Sequence, residues 1–308
     1  MMTGWQAHKV SSKSNVIHRI VRDCNMVYKY IKNKFFWVVS SLLLTAFFSV
    51  GVQARTLVLV HGFLSNDMNW RESGFTVPLI KTGWQDGGSY GFTPQAMLMP
   101  HGINLKGDVF YTVNLPSQAN LQIQEELLLQ YLYHLFMQRR EPMTLVGHSA
   151  GGVVARLYVI DPRHQPVNGL ITIASPHLGT PAANVAYIAG NSPLGMMASF
   201  AGGEELQNSR GLFSDLKEER PHNFLYWMNH QPHPNLHYAS IIRSNKKITK
   251  VNKFDFIVPP NSQDMNNIWA LKGRSGTAVV SEGHMLNGKD GVVVLQVLKV
   301  IKAESRNQ

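Results

Sequence analysis

A serine at position 149 stands between two glycines, in Leu145-Val146-Gly147-His148-Ser149-Ala150-Gly151-Gly152. The apolar run Met143 to Val146 precedes it and the apolar segment Gly152 to Ile160 follows. That order reads as strand, very tight turn, helix. A serine on so sharp a turn holds its hydroxyl above the end of a sheet, and glycine at 147 and 151 keeps side chains out of the adjoining strand and helix. A serine hydroxyl is a weak nucleophile near neutral pH, so chemistry here needs a base and a group that orients the base. Candidates stand later in the chain: Asp255 within Asn252-Lys253-Phe254-Asp255-Phe256-Ile257-Val258-Pro259, and His284 within Gly283-His284-Met285. Each of the three follows a segment of strand composition, so all can gather along the carboxyl edge of one parallel sheet. Two competing readings stand beside this: Ser149 as a loop serine between packing glycines, and Asp264 in place of Asp255 as the acid.

The elements that would position these residues alternate. Arg55 to Val60 is a β-branched and leucine-rich run without clean alternation, as in a strand covered on both faces. Residues 64–108 are broken by Gly83, Gly87, Gly88, Gly91, Pro94, Pro100 and Gly102 and read as loop, with Ser65-Asn66-Asp67 capping a short helix through Trp70. Val109 to Val113 is the next strand. Leu121 to Arg140 is a helix, with Leu121, Leu128, Leu132 and Leu135 at helical spacing, early acids Glu125 and Glu126, and Pro142 as the stop. The Ser149 strand and its helix follow, then strands over Val167–Ala174, Leu236–Ile242 and Ala278–Val280, and a closing helix over 290–303 whose VVVLQV core also tolerates strand. This is an α/β chain with a mostly parallel sheet and right-handed crossovers.

The turn at 147–151, with its strand, helix and second glycine, resembles the nucleophile elbow of the α/β-hydrolase superfamily, in its secreted bacterial lipase and esterase branch. The resemblance extends to His61-Gly62-Phe63 after the first strand and to Ser175-Pro176-His177-Leu178-Gly179-Thr180 after the fourth. It implies an α/β-hydrolase fold with a helical cap insertion at about 182–235. It also implies Ser149 as nucleophile, Asp255 in Asp-x-x-Val-Pro as acid, His284 as base, and the backbone N–H groups of Phe63 and Ala150 as the oxyanion hole. The order nucleophile, acid, base is the order of that superfamily. His61 and His177 read as packing or loop-fixing residues. Larger members carry two strands before the His-Gly strand, so the compact form implied here has an earlier sheet edge. Some members bind structural calcium. Nothing in this sequence identifies its ligands, and His222, His230, His233 and His237 show no metal-ligand pattern, so neither metal nor cofactor is expected.

The chain has 308 residues, 44% apolar and 16% charged, with formal net charge +10. Residues 1–54 hold seven Lys or Arg against one acid, leaving 22 basic and 18 acidic residues in the remainder. Most of the excess charge therefore belongs to the leading segment, and no aromatic-basic interleaving or recognition helix points to nucleic acid. Lys29, Lys32 and Lys34 precede the apolar run 35–50, and Val52-Gln53-Ala54 ends it with small residues. This is the order of a signal peptide cleaved after Ala54, which makes residues 55–308 the catalytic domain and the protein periplasmic or secreted. The alternative is a membrane anchor retained at 35–50. Met26 is a second candidate start, in front of a more ordinary leader. Cys24, the only cysteine, lies in the same segment.

Together these features lead to an expected serine hydrolase acting on carboxylic esters of acyl chains. Its partners would be an acyl ester or lipid substrate and, with a retained leader, a membrane surface. A thioesterase, a lipid amidase or deacylase, and an acyltransferase use the same three residues, and a non-enzymatic binder of hydrophobic ligands shares the fold.

Overall fold

Strands that are apolar throughout can be buried only between two layers of helices, and that is the arrangement observed. The computed structural model describes residues 54–93, 95–102, 105–183, 208–244, 255 and 257–304. The leader 1–53, including the run 35–50 and the start at Met26, lies outside these residues. So do 184–207 of the expected insertion. Among the described residues no helix is long and apolar enough to cross a membrane.

The sheet is built from β1 (Thr56–Val60), β2 (Gln85–Phe92), β3 (Met97–Leu98), β4 (Val109–Val113), β5 (Met143–His148), β6 (Val167–Ile173), β7 (His237–Arg243) and β8 (Ser275–Val280). Its order is β3-β2-β4-β1-β5-β6-β7-β8. Every neighbouring pair is parallel except β2 with β3. The described α-helices are α1 (Asn69–Glu72), α2 (Thr76–Lys81), α3 (Leu121–Arg139), α4 (Ala150–Ile160), α5 (Arg210–Asp215), α6 (Phe224–His230), α7 (Pro260–Gln263) and α8 (Gly288–Glu304).

β1 shows why its sequence does not alternate. Val58 and Val60 pack with Leu128, Leu132, Val153 and Val154 of α3 and α4, while Leu57 and Leu59 pack with Trp70, Leu79, Val294 and Leu298 on the opposite face. At about 25 cal/mol per Å² of apolar surface, this double burial is the main force holding the layers together. The C-terminal apolar run is helical and not a strand: Val294, Leu298 and Ile301 recur at helical spacing and face the core.

Two expectations need correction. The stretch read as loop contains α2 and the eight-residue strand β2, and β2 with β3 extends the sheet beyond β4, so the expected early edge is absent. Glycine lowers strand propensity, which hid β2. Here the glycines make room: a Cβ on Gly87 would lie 2.3 Å from the ring of Tyr111, whose hydroxyl donates to the Gly102 carbonyl at 3.0 Å. The second correction concerns α1, which starts at Asn69 with no side-chain cap; Asn66 instead accepts from the Met68 N–H at 2.9 Å, one turn earlier.

α3 begins as its sequence suggests. Asn120 caps it by accepting from the Ile123 N–H at 2.9 Å, and Asp215 of α5 accepts from the Leu121 N–H at 2.8 Å. Glu125, one turn further along, is buried, and burial together with the nearby Asp161 charge pushes its carboxyl up to about 7. Unfolded, that carboxyl returns to its ordinary value of 4.5. Between the two values the native state binds more protons, so this group's contribution is complete below the lower value and lost as pH rises through the upper. Glu125→Gln is therefore expected to stabilise the protein at pH 8, by on the order of 1–3 kcal/mol, with the gain vanishing near pH 4. Urea midpoints at the two pH values check this.

Candidate active site

β5 delivers Ser149 at its carboxyl end in a backbone conformation that few side chains adopt, with φ 53° and ψ −130°. Such strain costs of order 1–3 kcal/mol and persists only where the surroundings dictate it. Here they do. The Ser149 N–H donates to the Ile173 carbonyl at 2.9 Å, and the Gly152 N–H donates to the Ser149 carbonyl at 3.0 Å. The turn is closed so tightly that a Cβ on Gly147 would lie 2.3 Å from the Gly152 Cα, and one on Gly151 would lie 2.1 Å from the His61 carbonyl oxygen. Gly152 shares the constraint, its Cβ position being 2.0 Å from the Ser175 hydroxyl.

The loop after β8 brings His284 to this turn, and the loop after β7 brings Asp255. His284 Nε2 lies 2.9 Å from Ser149 Oγ, and His284 Nδ1 lies 2.7 Å from Asp255 Oδ2. Asp255 Oδ1 accepts from the N–H groups of Ile257 and Val258, both at 2.9 Å. The three residues separated by 106 and 29 positions in the chain thus form one hydrogen-bonded line. Asp264, the competing acid, is elsewhere: it caps the turn Met265–Asn267 by accepting from the Asn266 N–H at 2.9 Å.

Next to the serine, the Gly62–Phe63 peptide lies against the turn; a Cβ on Gly62 would be 2.9 Å from Ser149 Cβ and 3.5 Å from the Ala150 nitrogen. His61 orients that peptide. The Leu115 N–H donates to His61 Nε2 at 3.0 Å, so the ring proton sits on Nδ1, 3.0 Å from the Gly62 carbonyl oxygen. In a trans peptide the N–H points opposite to the C=O, so the Phe63 N–H is turned away from His61. Burial holds the His61 ring below the usual histidine range, in keeping with its neutral form. Among the described residues no protein acceptor takes up the N–H of Phe63 or Ala150. Ala150 also opens the eleven-residue helix α4, whose N-terminal end favours negative charge. The Phe63 ring meets Phe213 of α5 edge to face, with centroids 5.0 Å apart, and makes an apolar wall beside these donors.

His177 is not part of the hydrogen-bonded line. It is buried, with Nε2 3.1 Å from the Thr172 hydroxyl, and its backbone N–H donates to the Ser262 carbonyl at 2.8 Å. The Ser262 hydroxyl donates to the Gly179 carbonyl at 2.6 Å and accepts from the Leu178 N–H at 3.1 Å. The run 175–180 therefore braces the segment that follows Asp255. Among the described residues no three His, Cys, Asp or Glu side chains converge as a metal-binding group.

Sequence reasoning gave no role to His148, although it lies inside the motif. Its Nε2 is 2.8 Å from the backbone carbonyl oxygen of His284 and must carry the proton, because a carbonyl only accepts. Burial, followed by the neighbouring His284 and Arg243, drives His148 well below the usual histidine range, so it stays neutral beside His284. His148→Leu leaves that carbonyl without a partner. A loss of about 1–3 kcal/mol in stability is expected, together with reduced activity, and thermal unfolding beside rate measurements checks it. Gln263 was also missed; its contacts are described below.

Comparison with known proteins adds the following. Residues 109–190 match the PGAP1-like alpha/beta domain family. No curated protein matches by sequence. Among solved structures the chain is similar to the mature form of the Bacillus licheniformis lipase BlEst2, at 15% identity and TM-score 0.57, over 81% of this chain and 92% of that one. It is similar to the lin2722 gene product of Listeria innocua at 15% identity and TM-score 0.55, over 80% of this chain and 94% of that one. The sheet order, the crossovers and these likenesses agree: this chain has the α/β-hydrolase fold, and its central part matches the PGAP1-like branch of α/β domains.

Proposed function

We propose that this chain is a serine hydrolase that cleaves carboxylic esters of acyl chains, a lipase or esterase, through an acyl-enzyme on Ser149. The observation that carries this reading is the line Ser149–His284–Asp255, with contacts of 2.9 and 2.7 Å. In this reading His284 Nε2 takes the proton of Ser149 as Oγ attacks the ester carbonyl carbon. Asp255 holds the imidazole in the tautomer with the proton on Nδ1 and stabilises its charged form. The N–H groups of Phe63 and Ala150 receive the oxyanion, and losing either donor costs roughly 3 kcal/mol in the transition state. The C–O bond of the ester then breaks, the alcohol leaves with the proton from His284, and water regenerates Ser149. No cofactor enters the scheme.

Support for an acyl ester comes from the apolar wall of Phe63 and Phe213 beside the donors and from the likeness to the Bacillus licheniformis lipase BlEst2. A leader that directs export, or one that is kept and holds the protein at a membrane, fits a lipid substrate. Hydrolysis of p-nitrophenyl esters of graded chain length, run beside acyl thioesters, acyl amides and added glycerol, tests the reading. Esters are expected to turn over fastest, with water as acceptor. Turnover confined to thioesters or amides, or acyl transfer to glycerol in place of hydrolysis, would overturn it.

A further inference from the structure

Behind the acid, Gln263 of α7 is buried and touches three groups at once. Its Oε1 accepts from the backbone N–H of Arg243 at 2.7 Å. Its Nε2 donates to the Val258 carbonyl at 2.7 Å and to Asp255 Oδ2 at 3.1 Å. The direction of this chain is forced. A backbone N–H can only donate, so the Gln263 oxygen faces Arg243 and the amide nitrogen faces Asp255. Asp255 Oδ2 must then accept from Gln263, and it is the same atom that meets His284 Nδ1. With both N–H groups on Oδ1, Asp255 accepts three hydrogen bonds besides its contact with His284, an environment that suits an acceptor-only carboxylate. An Oδ2 that only accepts places the His284 proton on Nδ1 and leaves Nε2 bare toward Ser149.

We propose that Gln263 is a positioning residue that, by donating to Asp255 Oδ2, keeps that oxygen an acceptor for His284 Nδ1 and so sets the tautomer of His284. This rests on the proposed hydrolase reading. The charged groups around it are few. Arg243, on β7, is fully buried and paired at 2.7 Å with Asp290 of α8. His148, from β5, packs its ring 5.2 Å from His284 and is kept neutral. Asp264, the next residue, turns its carboxylate to Asn266, away from Gln263.

Two variants separate this role from simple core packing. Gln263→Met fills similar space but cannot donate, so kcat is expected to fall by about 10²-fold with KM little changed, at every pH. Gln263→Glu can replace one of the two donations, that to Asp255 Oδ2, and only while protonated. Two carboxylates this close cannot both ionise readily, so the pair holds one proton at lower pH and loses it as pH rises. Activity near that of the parent at low pH is therefore expected, with a descending alkaline limb that the parent lacks. A packing role would lower both variants uniformly and add no limb. Nitrogen-15 NMR of the His284 ring supplies a readout without turnover: the Nδ1-protonated tautomer should dominate in the parent and give way to a mixture in Gln263→Met. Parent-like kcat and pH profile in both variants, or an unchanged tautomer in Gln263→Met, would overturn the inference. If the parent protein hydrolyses no acyl substrate, the hydrolase reading fails, and the NMR result still decides whether Gln263 sets the tautomer.

Discussion

His284→Ala is expected to reduce kcat by on the order of 10⁶-fold while leaving KM close to its parent value. The imidazole meets Ser149 Oγ at 2.9 Å, and in the proposed mechanism it acts as the proton moves, after substrate has bound. Its removal leaves the serine protonated, and the remaining acceleration, roughly 10³–10⁴ over water, comes from the oxyanion donors and from binding. Asp255→Asn is expected to fall short of this, at about 10⁴-fold, because an amide can turn its NH2 toward Nδ1 and select the wrong tautomer. Circular dichroism of each variant separates these losses from unfolding. A kcat reduced by only a few-fold in His284→Ala, in folded protein, would remove His284 from the base role.

Gly151→Ala is expected to be severely damaging. The added carbon would lie 2.1 Å from the His61 carbonyl oxygen and 2.4 Å from that of Val60. Both are backbone atoms at the end of β1, so no side-chain rotation relieves the clash. Either α4 lifts off β1 or the His61–Phe63 turn moves, and both displace Ser149 relative to the Phe63 N–H. A loss of about 3 kcal/mol or more is expected, which lowers Tm by several degrees, and activity should fall further than the folded fraction explains. Gly276→Ala is the matched control, since its nearest contact is an ordinary 3.7 Å from the Tyr238 carbonyl oxygen. Equal behaviour of the two variants would contradict this account of the turn.

The residues that could be read directly are those whose role is local. β1, β5 and α3 carry continuous or periodic apolar runs, and the Gly147–Gly151 turn carries its own geometry in two glycines. Asp255 and His284 were picked out by the motifs around them, Asp-x-x-Val-Pro and Gly-His-Met, and the structure brings both to Ser149. β2 was not legible, because its glycines answer to Tyr111 and His101, which arrive from later in the chain. His148 and Gln263 were hidden for a related reason. Nothing in their immediate neighbours predicts that one will hold the carbonyl of residue 284 and the other the carboxylate of residue 255. Such roles exist only once β5, β7 and the loop after β8 have come together. Arg243 and Asp290 behave alike: 47 positions apart, they become a buried pair only in the assembled sheet.

The most direct measurement is labelling of the purified protein with a fluorophosphonate, followed by mass mapping of the adduct. A single adduct on Ser149 is expected, abolished in Ser149→Ala and strongly slowed in His284→Ala. Folded protein that takes no label, or label that persists in Ser149→Ala, would contradict a nucleophilic serine at this turn.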